Sequence, residues 1–216
     1  MKKIIIVGAG GYASEAAWVL EEMNKSGSMA RRWQILGYAD KDVTTKGLLV
    51  YDYKILGTTE EIAKQYIGEN IWYYCAIGSN ANRAVVTKNL DALGWQAATL
   101  IHPSVIMARK VAIGEGTYIG GGSILCPNST IGRHVIINTR VTIGHDSVLA
   151  DFSQACPGAQ INGFCKVGQG AMIGSNASIL PGKSVGDNAV VGANSQVIRS
   201  VKAGATVNGV PAVLIK

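Results

Sequence analysis

From Ile113 onward every sixth residue is apolar: Ile113, Ile119, Leu125, Ile131, Ile137, Ile143, Leu149, Ala155, Ile161, Val167, Ile173, Ile179, Val185, Val191, Val197 and Ala203. Two positions before each, small or β-branched residues recur, among them Val111, Thr117, Ser123, Ser129, Val135, Val141, Ser147, Ser153 and Ala159. One position after, Gly or Asn dominates, as at Gly114, Gly120, Gly132, Asn138, Gly144, Asn162 and Gly168. This period fits neither a helical stripe nor a long strand. It fits short strands joined by tight bends, with the apolar residue inward and the next residue in a bend conformation that Gly and Asn tolerate. Three units make a triangular coil, and coils stacked at strand spacing of about 4.8 Å align the apolar residues in three vertical files. Ala203 closes the file of Ile113, Ile131, Leu149, Val167 and Val185.

The first hundred residues follow a different rhythm. Lys3–Val7 reads as a buried strand ending in Gly8-Ala9-Gly10-Gly11, and Tyr12–Asn24 as a helix with Ala13, Ala16, Ala17, Leu20 and Met23 on one face. A strand over Gln34–Ala39 closes on Asp40, and Ile55–Gly57 is a short, ambiguous segment. Thr58-Thr59-Glu60-Glu61 predicts a capped helix running to about Ile67. A strand over Ile71–Ile77, a helix over Asn80–Leu93 and a strand over Ala97–Ile101 complete the half. Strands alternating with helices predict a small parallel sheet. The boundary falls near Pro103, giving an α/β Rossmann-like domain over 1–103 and an all-β coil over 104–216.

Composition narrows the choices. Apolar residues make up 48% of the chain, enough for a core, while aromatics are held to 6%, as a narrow prism of aliphatic side chains requires. The net charge of +6 is spread over both halves, without the basic patch and interleaved aromatics that nucleic acid wants; it suits anionic small ligands. No apolar run approaches a membrane span, and Met-Lys-Lys leads straight into a strand, so a cytoplasmic protein is expected. Cys75, Cys126, Cys156 and Cys165 lack CxxC spacing and read as reduced small residues.

Gly8-x-Gly10-x-x-Ala13, after a strand and opening a helix, is the dinucleotide fingerprint in its proper context. Gly8, Gly10, Gly11 and Tyr12 then lie at a helix N-terminus that favours negative charge. Asp40 is placed for a ribose or sugar hydroxyl, and the second loop, with Gly78 and Arg83, adds a guanidinium at the same sheet edge. A tight turn without a ligand is the plain alternative. The domain is about half a full dinucleotide fold and no hydride-transfer domain follows, so a nucleotide attached to some group other than nicotinamide fits better.

In the coils, His145 follows the bend of its unit and sits near a corner, with Gly163 one coil, 18 residues, further on. An imidazole base beside a backbone N–H suits acyl transfer; a solvated corner histidine is the alternative, and His134 is left in that class. His134 and His145 are 11 residues apart, on different faces, so no histidine pair is expected to hold zinc or another metal.

These coils resemble the left-handed parallel β-helix acyltransferases built from hexapeptide repeats. Ile101-His102-Pro103-Ser104, Ile137-Asn138-Thr139, His145-Asp146, Asp151-Phe152-Ser153, Pro157-Gly158-Ala159 and Gly209-Val210-Pro211-Ala212, behind a Rossmann-like half, resemble one subgroup. It is that of the bacterial nucleotide-sugar N-acetyltransferases and the sialic-acid O-acetyltransferase-like proteins. The resemblance implies a left-handed coil, a homotrimer with active sites between subunits, acetyl-CoA as donor and no metal. It further implies His145 as general base, Asp146 as its acidic partner, Gly163 as oxyanion donor, Asn138 as a nearby polar contact, and Gly209 and Pro211 near the CoA nucleotide. Two departures stand out: Gln154 where many relatives carry a histidine at the thioester, and Gly11-Tyr12-Ala13 where they often have Gly-His-Gly. The expected activity is acetylation of the amine of a UDP- or dTDP-linked 4-amino-4,6-dideoxy sugar. A sugar O-acetyltransferase and a non-catalytic nucleotide-sugar-binding module are the rivals.

Overall fold

The computed structural model describes residues 1–27 and 32–215. The chain forms two compact units, Met1–Pro103 and Ser104–Lys216.

In the first unit the elements run β1 (Lys2–Val7), α1 (Gly11–Ser26), β2 (Trp33–Ala39), β3 (Leu49–Val50), β4 (Tyr53–Gly57), α2 (Thr59–Gln65), β5 (Ile71–Cys75), α3 (Asn80–Ala92) and β6 (Gln96–Ala97). They build a sheet of order β3-β4-β2-β1-β5-β6. The expected parallel pairing holds between β1 and its neighbours β2 and β5, with Val7 opposite Ala39 on one side and Cys75 on the other. Because both faces of β1 are covered, its aliphatic run is continuous: Ile4, Ile5, Ile6 and Val7 are all buried. Ile5 and Val7 join Ile62 of α2 and Leu90 of α3 in one core. The capping box at α2 forms as the residues require. The Glu61 N–H donates to Thr58 Oγ1 at 3.3 Å, and Glu61 Oε2 accepts from the Thr58 N–H at 2.9 Å.

One element was not expected: β3 is an edge strand antiparallel to β4, joined through Tyr51 and Asp52, both in left-handed backbone (φ 43° and 65°). A turn of that hand is usually signalled by Asn or Gly, and Tyr-Asp hides it. The aliphatic run at Ala97–Ile101 also divides, into Gln96–Ala97 and Leu100–Ile101.

The second unit is a parallel β-helix of two-residue strands. Tyr118, Ile136, Gln154, Met172 and Val190 pair in register up one face. Ile124, Thr142, Gln160, Ser178 and Gln196 do so on the second, and Ala112, Thr130, Val148, Lys166 and Ser184 on the third. The inward files are buried from Ile119 to Val197. Thr117, Ser123 and Ser147 are fully buried as well. Each hydroxyl donates to a corner carbonyl and accepts an amide one coil away, which satisfies backbone groups the strands leave over.

Two features of the repeat differ from expectation. The left-handed residue is the third after each apolar position rather than the first: Gly116, Gly122, Asn128, His134, Arg140, Asp146, Phe152, Gly158, Phe164 and Gly170 all have positive φ. Glycine directly after the apolar residue answers to close stacking instead. A Cβ at Gly114 would lie 2.5 Å from the Gly132 carbonyl carbon, and one at Gly144 only 2.4 Å from the Gly163 nitrogen. The period also slips once. Ala203 is exposed, and Val201, two residues earlier, takes the inward place, pairing with Val185.

At its C-terminal end the chain turns back. The Gly209 carbonyl accepts from the Gln196 N–H, the Ala212 N–H donates to the Gln196 carbonyl, and Val213–Leu214 pairs antiparallel to Thr206–Asn208. That segment covers strand edges that would otherwise be open.

Candidate active site

Between the strands Thr142–Ile143 and Val148–Leu149 the chain rounds a corner at Gly144–Ser147. Asp146 takes the left-handed place of this unit (φ 58°), and its carboxylate turns back on its neighbour: Asp146 Oδ2 lies 2.8 Å from His145 Nδ1. Asn128, one coil earlier, donates to Asp146 Oδ1 at 3.1 Å. The His145 hydrogen bond first, and the Asn128 amide second, hold the Asp146 carboxyl below the usual carboxylate range. An ionised Asp146 orders the tautomer of its partner: Nδ1 carries the proton and Nε2 presents a lone pair.

The imidazole rests on Gly163. A Cβ there would stand 2.6 Å from His145 Nε2, so only glycine lets the ring lie where it does. Among the described residues the Gly163 N–H has no protein acceptor. Ser147 fixes this part of the next coil, donating to the Asn162 carbonyl at 2.8 Å and accepting from the Cys165 N–H at 3.1 Å. Phe164 completes the surround, its ring edge-on to the imidazole at 4.9 Å. The pair is open to solvent, with the His145 side chain 55% and the Asp146 side chain 36% exposed. Asn128, Ser147 and Phe164 were not singled out from the sequence.

Other expected residues lie elsewhere on the coil. Asn138 is at the next corner, its Oδ1 accepting the Thr139 N–H at 2.7 Å. Gln154 is on the face of Ile136 and Met172; its Nε2 approaches Cys156 Sγ at 3.8 Å, and its Oε1 is buried with no hydrogen-bond partner among the described residues. Gly209 and Pro211 belong to the terminal cap, where the Gly209 N–H donates to Ser195 Oγ at 3.0 Å. His134, expected as a surface residue, is buried and stacked on Phe152, because its left-handed backbone lays the ring over Gly116.

The first unit carries a cleft of roughly 760 Å³ at the carboxyl edge of its sheet. Gly8, Gly10 and Asp40 line it, together with Lys41, Asn82 and the apolar wall of Val85, Val86 and Leu93. Gly8 is required by the fold: its φ is 101°, and a Cβ would meet the Ala76 carbonyl oxygen at 3.2 Å. At Gly10 and Gly11 a Cβ would meet nothing within 4 Å among the described residues beyond its own chain neighbours and helix backbone. The Asp40 carboxylate ties the glycine loop to the end of β2, accepting from the Ala9 and Asp42 amides at 3.0 Å each. Among the described residues no side chain caps the α1 N-terminus.

Two side chains expected to meet a ligand are otherwise engaged. The Arg83 guanidinium is buried, giving hydrogen bonds to the Ile77 and Gly78 carbonyls and to Asn80 Oδ1, so it shapes the Gly78 loop from inside. Burial lowers its pKa. The Tyr12 hydroxyl is hydrogen-bonded to that of buried Tyr74, which turns the ring toward the sheet. Gly78, Gly11, Tyr12 and Arg83 are not among the residues lining the cleft.

Residues 3–90 match the PglD N-terminal domain, and residues 164–199 the bacterial transferase hexapeptide (six repeats). The chain is 29% identical over 177 residues to GDP-perosamine N-acetyltransferase of Escherichia coli O157:H7, covering 82% of this chain and 77% of that protein. It is similar to PerB from Caulobacter crescentus, solved in complex with CoA and GDP-perosamine (26% identity, TM-score 0.89, 100% of this chain and 98% of that one). It is similar also to the acetyltransferase domain of PglB from Neisseria gonorrhoeae, solved in complex with acetyl coenzyme A (28% identity, TM-score 0.88, 99% of each chain).

Proposed function

We propose that this chain, which belongs to the hexapeptide-repeat nucleotide-sugar N-acetyltransferases, acetylates the amine of a UDP- or dTDP-linked 4-amino-4,6-dideoxy sugar with His145 as general base. Acetyl-CoA is the donor, and the reaction needs no metal. The observation that carries the reading is the His145–Asp146 pair seated on Gly163 at an open corner of the coil. As the amine nitrogen attacks the thioester carbonyl carbon, Nε2 takes its proton, and Asp146 steadies the charge that forms on the ring. The Gly163 N–H donates to the oxygen on which negative charge gathers. The carbon–sulfur bond then breaks, and the imidazolium returns the proton to the leaving sulfur.

The nucleotide belongs in the cleft of the first unit. Its support is the open space at Gly10, where the fold has no use for a missing side chain, next to Asp40 and an uncapped helix N-terminus that Gly11 begins. Gly78, Arg83 and Tyr12 act there indirectly, through the loop and the sheet. Asn138, Gln154, Gly209 and Pro211 are assigned to a cleft completed by a partner subunit in a homotrimer. The buried Gln154 Oε1 is an acceptor suited to an amide N–H of the donor. A GDP carrier is the second reading, favoured by the relatives that act on or bind GDP-perosamine.

The test is a thermal-shift panel of UDP-, dTDP- and GDP-sugars with and without acetyl-CoA, since a ligand of the native state raises Tm, joined to turnover of His145→Ala. The expected loss of rate in that variant is on the order of 10²–10⁴. Near-normal turnover would overturn the assignment of the base, and binding of GDP-sugars alone would replace the carrier.

A further inference from the structure

The chain has two phenylalanines, and both occupy left-handed corner positions against the two coil histidines. They are not equivalent. Phe152 is half-buried and stacks on His134, a buried ring, so it helps to cover the interior. Phe164 is 59% exposed, so it adds little to the core. It lies in the file Asn128, Asp146, Phe164, Gly182, all with φ between 58° and 71°. Asn, Asp and Gly tolerate that backbone, whereas an aromatic residue is strained by it. Local conformation and burial both argue for a small residue at 164.

What the ring does touch is His145, nearly perpendicular (89°) with centroids 4.9 Å apart, a favourable edge-to-face arrangement. Its own amide donates to the His145 carbonyl at 2.9 Å, so ring and imidazole are carried on bonded backbone. The imidazole is thus bounded on three sides: Asp146 at Nδ1, Gly163 beneath Nε2, and Phe164 at its edge. Remove the last, and an exposed histidine side chain gains room to rotate off Asp146.

We infer that Phe164 is a positioning residue, kept in strained, exposed backbone because its ring holds the His145 imidazole in the one orientation that joins Asp146 to the acceptor amine. This role rests on His145 being the base. A misplaced group far smaller than a residue suffices to slow such chemistry, since productive alignment tolerates little displacement.

Replacing Phe164 by Asn tests it, because the two properties move in opposite directions. Relief of strain leaves Tm unchanged or higher, while kcat falls about 10-fold and KM for acetyl-CoA and acceptor stays within about two-fold. Phe164→Tyr restores kcat. Should the Asn variant misfold, Phe164→Leu, which keeps bulk without the ring, carries the same kcat comparison. Unchanged kcat, a loss confined to KM, or a Tyr variant as slow as the Asn one would each overturn the role. His145→Ala run alongside separates the two failures. If it keeps turnover, the base assignment is wrong; if it is inactive while Phe164→Asn is normal, only the positioning role is.

Discussion

Gly163 lies so close beneath His145 that a single methyl group at position 163 would stand 2.6 Å from Nε2. Its backbone needs no left-handed conformation, so Gly163→Ala tests contact alone. The alanine methyl forces the imidazole to move while leaving the coil's hydrogen bonds intact. Turnover is expected to fall on the order of 10²-fold, with Tm nearly unchanged. Steady-state kinetics beside a melting curve measures both. A large Tm loss with proportional loss of activity would mean that the glycine serves stacking, as Gly144 does.

In the cleft of the first unit the same logic applies with the opposite neighbour. A Cβ at Gly10 meets nothing within 4 Å among the described residues beyond its chain neighbours, and Gly10 is the N-cap of α1, where Ala in place of Gly costs about 1 kcal/mol. Gly10→Ala should therefore fold like the parent, yet bind nucleotide-sugar at least about 10-fold more weakly, as phosphate approach to the backbone is blocked. Calorimetry with the tightest ligand of the thermal-shift panel measures this. Equal affinity would remove Gly10 from the site.

Much of this was legible in the residues because the coil is arithmetic. An apolar residue every six positions names the inward files, and a step of 18 names vertical neighbours, which puts Gly163 against His145. The same step puts Asn128 against Asp146 and Phe164 below it, so those partners were within reach of the pattern. The two-residue slip before Val201 was not, because Ala203 is apolar and satisfies the count although it faces solvent. Nor was the fate of Arg83 and Tyr12. Motif spacing puts a side chain near a loop; whether it turns outward depends on packing, here on the loop carbonyls and on Tyr74.

Asp146 contributes to stability on the acid side and to rate throughout. Its folded pKa lies below the unfolded value, through the His145 hydrogen bond and then Asn128. The stability it contributes is therefore present above the unfolded pKa of about 3.9 and is lost as pH falls through the folded pKa. The stability gap between the parent and Asp146→Asn should close below about pH 4, read from denaturant midpoints against pH. Across the assay range Asp146 stays ionised. The rate should rise from acidic to mildly alkaline pH as the substrate amine loses its proton, and Asp146→Asn should lower it throughout, on the order of 10²-fold, with the shape of the profile near pH 4–5 unchanged. An inflection there in the parent that Asp146→Asn abolishes would mean that Asp146 itself exchanges the proton.

Ser147 offers the last separation, between a residue that builds the corner and one that acts in it. Its hydroxyl is fully buried, donates to the Asn162 carbonyl and accepts from the Cys165 N–H, so it brackets Gly163 and Phe164 on both sides. Ser147→Ala leaves a carbonyl and an amide without that partner inside the coil, at a cost of about 1–3 kcal/mol. Because Gly163 and Phe164 hang between those two bonds, a share of the loss should appear as slower turnover in protein that is still folded. Denaturant unfolding gives the first quantity, and kcat measured well below the melting temperature gives the second. Thr117→Val is the internal control: the same two bonds recur there, to Gly132 and Val135 at an earlier corner, away from His145 and from Asn138. It should lose similar stability and keep kcat. Equal kinetic losses in both variants would mean that the coil transmits any weakening everywhere, and that the seat of the imidazole is not held locally by Ser147.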